Sequence, residues 1–449
     1  DAGTLTLTGN ISGNFASTVG GFGNTTINGI VSGTAVGITK DGSGTLTLTG
    51  ANTFTGAVAV NAGVLNIQNA TAAGTTAGGV TVASGAALEL QGGIAVGNEA
   101  LTLNGDGIGS AGALRNISGT NSWSGAGTRG SAVRINSDAG TLTLSGTQGG
   151  NFDLTVGGAG NVTLSGVVSG TGANLVKDGL GTLTLSNANT FTGSTTLNTG
   201  TVSINADSRL GTAPGSATPG HLNLNGGTLA MTATFTLNAN RGVALSGSSI
   251  LDIAATRTIT YAGVIAGTGA LTKAGTGTLV LSGSNTYDGV TTVSAGILNI
   301  QNSTALGSTA SATSVTDGAA LQIQGDITVG AESLTLNGTG ISGSGALRII
   351  SGTNTYGGAI TLASASRINS DAGTLTMTGG ITNGGFLLTV GGSGASAIST
   401  AAITGTGGLT KDGTGTLTLS ASNTYDGVTT ISAGVVNIQT DTALGSTAD

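Results

Sequence analysis

The chain has 449 residues, 12 basic and 19 acidic side chains, a net charge of −7, 85 glycines and no cysteine. Twelve scattered cations make no basic patch, which excludes sequence-independent nucleic-acid binding, and the missing cysteines exclude a disulfide framework or a thiolate metal site. No apolar run reaches the roughly 18 residues of a membrane-spanning helix. Charged residues make up only 7% of the chain, against about 25% in an ordinary domain. The 38% hydrophobic share falls in short alternating runs, unlike a disordered linker, and glycine lacks the every-third spacing of collagen.

The chain opens at Asp1 without an initiator Met or a signal peptide, so it reads as a mature chain or a fragment. Its first words, Asp-Ala-Gly-Thr-Leu-Thr, recur after Ser137 and Ser370. Thr45–Leu48, Leu65–Gln68, Leu88–Gln91 and Leu101–Asn104 alternate apolar and polar residues, the pattern of half-buried strands. Gly, Asn and Asp bound each run and supply tight turns. No window carries a sustained helical stripe.

The phrase Lys-x-Gly-x-Gly-Thr-Leu starts at Lys40, Lys177, Lys273 and Lys411, at intervals of 137, 96 and 138 residues. Neighbouring intervals together define a long period of about 233, which also carries Glu99 to Glu332, Arg115 to Arg348, Arg134 to Arg367 and Trp123 to Tyr356. The two prolines, Pro214 and Pro219, lie in residues 212–221, a segment without a counterpart. It reads as a projecting loop, because proline interrupts a ladder. The chain ends on a phrase that matches residues 304–310, so both termini are expected to lie inside a repeat of a longer array.

An open-ended pattern of short one-faced strands favours coils stacked on one another over a closed sandwich. The expected fold is all-β: a right-handed parallel β-helix, or β-solenoid, of roughly 19 coils. It is expected to run as one continuous domain over residues 1–449, a rod roughly 90 Å long at about 4.8 Å per coil. Inward Leu, Ile and Val would form apolar ladders, with Thr and Asn bonding to like neighbours outside.

Residues 271–301, with matching stretches from Ile38, Leu175 and Leu409, resemble the autotransporter-associated β-strand repeat of bacterial autotransporter passenger regions. The resemblance covers about a quarter to a third of the chain. It implies a secreted or surface-exposed β-helix at the bacterial cell surface and no single biochemical activity. Nothing in the sequence resembles the outer-membrane barrel of that family.

Six aromatics share the pattern Asn, Thr or Ser, aromatic, any residue, Gly: Phe54, Trp123, Phe191, Tyr287, Tyr356 and Tyr425. Exposed, they would form a stripe on which glycan rings stack. Buried, they would be a structural ladder, and the wide spacing of the copies weighs toward this. The Lys-Asp-Gly corners at Lys40, Lys177 and Lys411 read as solvated turns, since Ala274 replaces the acid after Lys273. Asn104-Gly-Asp106-Gly falls short of the six to eight oxygens that calcium needs. His221 is the single histidine, which removes His-pair metal sites and repeated His bases. Glu89 and Glu99 lie ten residues apart, and Gln322 replaces the first in its second copy. These features point to no catalytic, cofactor or metal residues. The reading is a non-enzymatic extracellular rod or filament that self-associates end to end or laterally. An adhesin for glycans or host surfaces is the alternative, and a polysaccharide-degrading β-helix enzyme is a distant third.

Overall fold

In the computed structural model, which describes residues 3–446, short parallel strands stack turn upon turn and helix is limited to brief 3-10 segments such as Ile108–Ser110. The contacts divide the chain into two compact units, Asp1–Pro214 and Gly215–Asp449, each of them β-solenoid, with about 21 turns between them. The count exceeds the sequence-based 19 because many turns take 19 to 22 residues, as from Leu46 to Leu65 and from Ile135 to Val156. The division falls inside the proline-bearing segment. In the second unit residues 215–219 are exposed, but strand Thr218–Leu224 already begins there, with an irregular register against Arg241–Leu245, and His221 is buried. Residues 218–221 of the loop expected from sequence therefore lie in that strand.

Each regular turn has three strand positions, or faces. In the first unit one face runs through Asn24–Ile27, Thr45–Leu48, Val64–Ile67, Ala87–Gln91 and Leu114–Ser118, each parallel to the next. The period-two pattern explains the core. In Thr45–Leu48 the threonines are half-buried and Leu46 and Leu48 fully buried. Leu46 then stacks in register on Leu65, Leu88 and Leu114 through successive turns. Burying each such side chain contributes about 1.5–3 kcal/mol, and the gain requires a neighbouring turn.

The longer lysine interval, 137 or 138 residues, is not a whole number of turns. From Lys40 the ladder passes Val60, Val82, Leu103 and Arg129 on one face, whereas Lys177 stands between Val156 and Leu197 on the next face. In the second unit Lys273 pairs Val293, and Lys411 lies one face further round, between Val390 and Ile431. Within each unit this interval therefore advances six turns and one face, so the two lysines at its ends do not share a side.

Candidate functional site

All four repeat lysines are buried, correcting the solvated turns expected from sequence. Lys40 Nζ donates to the carbonyls of Asp41 at 2.9 Å, Gly42 at 2.7 Å and, one turn later, Ala62 at 3.1 Å. Lys177, Lys273 and Lys411 repeat this cage, the third acceptor being Thr199, Ala295 and Ala433. Three carbonyls match the three donors of an ammonium. Burial pushes Lys177 and Lys273 down to about 8, opposed by Asp178 and Asp252. The residue after the third acceptor must be glycine. A Cβ on Gly63, Gly200 or Gly434 would stand 2.7–2.8 Å from the ammonium, and all three have φ near +70°.

The six motif aromatics are buried as well, at 0–1% exposure. None offers a ring face to a sugar, so the glycan-stacking assignment of Phe54, Trp123, Phe191, Tyr287, Tyr356 and Tyr425 is corrected. The one-face advance of the repeat also puts Phe191 on a different face from Phe54 and Trp123. The Asn two residues before each ring explains the motif. The Val31 amide donates to Asn52 Oδ1 at 2.8 Å, and Asn52 Nδ2 donates to the Ala72 carbonyl at 2.6 Å. One buried side chain thus ties the turn before to the turn after, at a corner where the strand ladder lapses. Asn189, Asn285 and Asn423 make the same two bonds. Asn121 and Asn354 accept from the preceding turn at Ile94 and Ile327. Phe54 and Phe191 then pack against a glycine of the following turn, where a Cβ on Gly74 or Gly211 would meet the ring within 3 Å.

The outward groups form two classes. The first is a set of ion pairs. Arg134 clamps Asp178 bidentately at 2.7 and 2.8 Å, and Arg367 clamps Asp412 at the same distances. Each pair lies across a glycine, since a Cβ on Gly157 or Gly391 would come within 2.2 Å of the guanidinium. Arg115 bridges Glu89 at 3.1 Å and Asp138 at 2.6 Å, whereas Arg348 engages Asp371. The second class is a set of exposed rings that the sequence reading passed over: Phe15 at 86%, Phe152 at 46% and Phe386 at 40%. They share Phe-x-x-Thr-Val-Gly-Gly and precede Lys40, Lys177 and Lys411 by 25 residues each. That phrase was the available signal.

One cleft stands out on the first unit. The 26-residue turn from Leu88 to Leu114 carries an overhanging loop with the 3-10 segment Ile108–Ser110. Beside it opens a cleft of about 490 Å³ whose polar lining includes Asp106, Ser110, Arg134, Thr155 and Asp178. Ser110 Oγ donates to Asp106 Oδ2, which helps hold that carboxyl below its usual range. Elsewhere, Glu99 and Glu332 are buried in the interior. Burial raises both, Glu332 to about 7 against a bond from Thr313 Oγ1 at 2.9 Å. No group of three or more His, Asp or Glu side chains suited to a metal occurs among the described residues, and no helix among them is long and apolar enough to cross a membrane.

Comparison with known proteins locates the repeat. The passenger-associated-transport-repeat family matches residues 38–67, 175–204, 271–300 and 409–438, each match beginning on a lysine-bearing strand. The chain is 32% identical to the adhesin BmaC autotransporter of Brucella suis biovar 1 (strain 1330) over 92% of its own length and 13% of that protein's length. No solved structure matches.

Proposed function

Taking as premise that the chain is an autotransporter passenger region built on passenger-associated transport repeats, we propose that it is a non-enzymatic scaffold at the bacterial cell surface that holds adhesive groups toward the exterior. The observation that carries this reading is the similarity to an autotransporter adhesin along 92% of the chain. The distribution of chemistry supports it. The repeated lysines, asparagines and motif aromatics all point inward and are consumed in holding turns together. What faces solvent includes a changing set of ion pairs, exposed phenylalanines and a polar cleft.

Beads coated with the 449-residue chain are expected to adhere to cell or extracellular-matrix surfaces above beads coated with an unrelated protein. Absence of adherence across a panel of such surfaces would remove the adhesive reading. Release of soluble product from a polysaccharide panel would replace the scaffold with an enzyme. Electron microscopy tests the rod expected from an open-ended repeat, and a compact particle would overturn it. Light scattering tests self-association end to end or laterally; a strictly monomeric species at high concentration would remove it.

A further inference from the structure

We infer that the cleft beside the 106–113 loop of the first unit binds a neutral or amino saccharide. This deepens the adhesive reading and rests on it. The floor is made by the outward side chains of three consecutive turns, Arg134, Thr155 and Val176, which stand in one register. Asp178 closes one side through its clamp to Arg134, and Asp106 with Ser110 overhangs the other. The volume of about 490 Å³ lies within the range of small-ligand sites.

The chemistry selects the ligand class. Carboxylate oxygens accept from neighbouring hydroxyls, and Ser110 and Thr155 can donate or accept. Val176 gives the floor a small apolar patch for the C–H face of a ring. Phe152 is exposed two residues before Leu154, which pairs with Val133 of the cleft, and it is not part of the lining. Arg134 is balanced by Asp178, so Asp106 leaves the cleft with one net negative charge. That charge disfavours sialic and uronic acids and tolerates an ammonium.

The second unit supplies an internal control. It keeps the Arg367–Asp412 clamp, the 3-10 segment Ile341–Gly343 and the exposed Phe386. Thr339, Gly343 and Thr410 stand where the first unit has Asp106, Ser110 and Val176. The overhanging carboxylate, the loop hydroxyl and the apolar floor are all replaced there.

The test is titration calorimetry of the full chain with neutral, amino and acidic saccharides chosen by array. Neutral or amino saccharides are expected to bind at one site per chain. Asp106→Asn and Ser110→Ala should each weaken binding at least tenfold with unchanged thermal unfolding, while Phe386→Ala leaves it unchanged. Preference for acidic saccharides, or affinity unmoved by both first-unit substitutions, overturns the inference. A chain that adheres to surfaces but binds no saccharide overturns it and leaves the adhesive reading standing. Saccharide binding without adherence does the reverse.

Discussion

Residues 88–204 of the first unit and 321–438 of the second are two copies of one stretch, and substitutions between them are unevenly spread. Both copies keep the caged lysine, the asparagine tie, the buried glutamate and the guanidinium that spans a glycine. Arg129 of the first copy is buried and donates to the carbonyls of Gln148, Gly150, Phe152 and Ser169, bracing the corner that displays Phe152. Leu362 takes that ladder position in the second copy, and Asn383 braces the Phe386 corner by donating to Gly407 and accepting from Gly385 and Gly407. Trp123 donates to the Glu99 carbonyl at 2.6 Å, while the Tyr356 hydroxyl in the same place is buried without a partner. The side chains of the repeated motifs keep their chemistry in both copies. Elsewhere a corner can be held by different chemistry from another position, as Asn383 does where Leu362 replaces Arg129.

The largest test of that distinction is the lysine cage. Lys177→Met and Lys411→Met keep the stem and leave three part-buried carbonyls without their ammonium donor. A fully buried orphaned acceptor costs roughly 1–3 kcal/mol, so for three part-buried ones the low end applies and a local loss of about 3 kcal/mol is expected in both copies. Solenoids open locally, so native-state hydrogen exchange at the turns sharing the cage is the proper measurement. A loss confined to one copy would break the comparison, since the two cages have the same geometry.

Next comes pH. The ordinary glutamate value is 4.5 and that of Glu332 is raised to about 7 by burial, near the Tyr287 and Tyr356 hydroxyls. A carboxyl whose folded pKa lies above its unfolded value stabilises fully below about 4.5 and loses that contribution as pH rises through about 7. At about 1.36 kcal/mol per unit, the turns around Glu332 should lose roughly 3 kcal/mol between pH 4.5 and 8. Glu332→Gln should flatten this dependence. Glu99 is raised in the same direction and should give the first copy a slope of the same sign. A smaller effect, about 1 kcal/mol, is expected for Gly157→Ala and Gly391→Ala, because the new methyl displaces a partly exposed ion pair and leaves the ladder in place. Equal losses in thermal unfolding would show that the clamp has the same value in both copies.

The fold was legible because period two, glycine corners and a repeated phrase are properties of sequence order. The lysines were misread for a physical reason. A charged residue beside Asp-Gly has the composition of a surface corner, and only the stacking of the next turn brings Ala62 and its equivalents over the ammonium. The aromatics were misread similarly. Asn-Thr-aromatic with a following Gly says that a corner is constrained, while the side on which the ring lies depends on the strand register. Phe15, Phe152 and Phe386 were overlooked because their phrase lies outside the lysine-bearing repeat that drew attention. The cleft could not be read at all, since Asp106, Thr155 and Asp178 come from different turns and meet only through a register that composition does not encode.

The smallest expected effect sharpens the comparison most finely. Arg115 of the first copy engages Glu89 and Asp138, whereas the matching Arg348 engages Asp371 and faces Gln322, which accepts instead from Asn299 at 3.2 Å. The Arg115 side chain is about one-third exposed and Glu89 is more buried, at 33% and 13%. A pair so placed contributes about 0.2–1 kcal/mol and is screened by salt. Glu89→Gln, which makes the first copy like the second, should therefore cost no more than about 0.5 kcal/mol at low ionic strength. The cost should vanish near 1 M salt, where screening acts within about 3 Å. Gln322→Glu should return a gain of the same size. A double-mutant cycle of Glu89→Gln with Arg115→Gln isolates the pair from the second contact to Asp138. A coupling well above 1 kcal/mol that persists in salt would show this outer ladder to be as constrained as the lysine cage, although its chemistry differs between the copies.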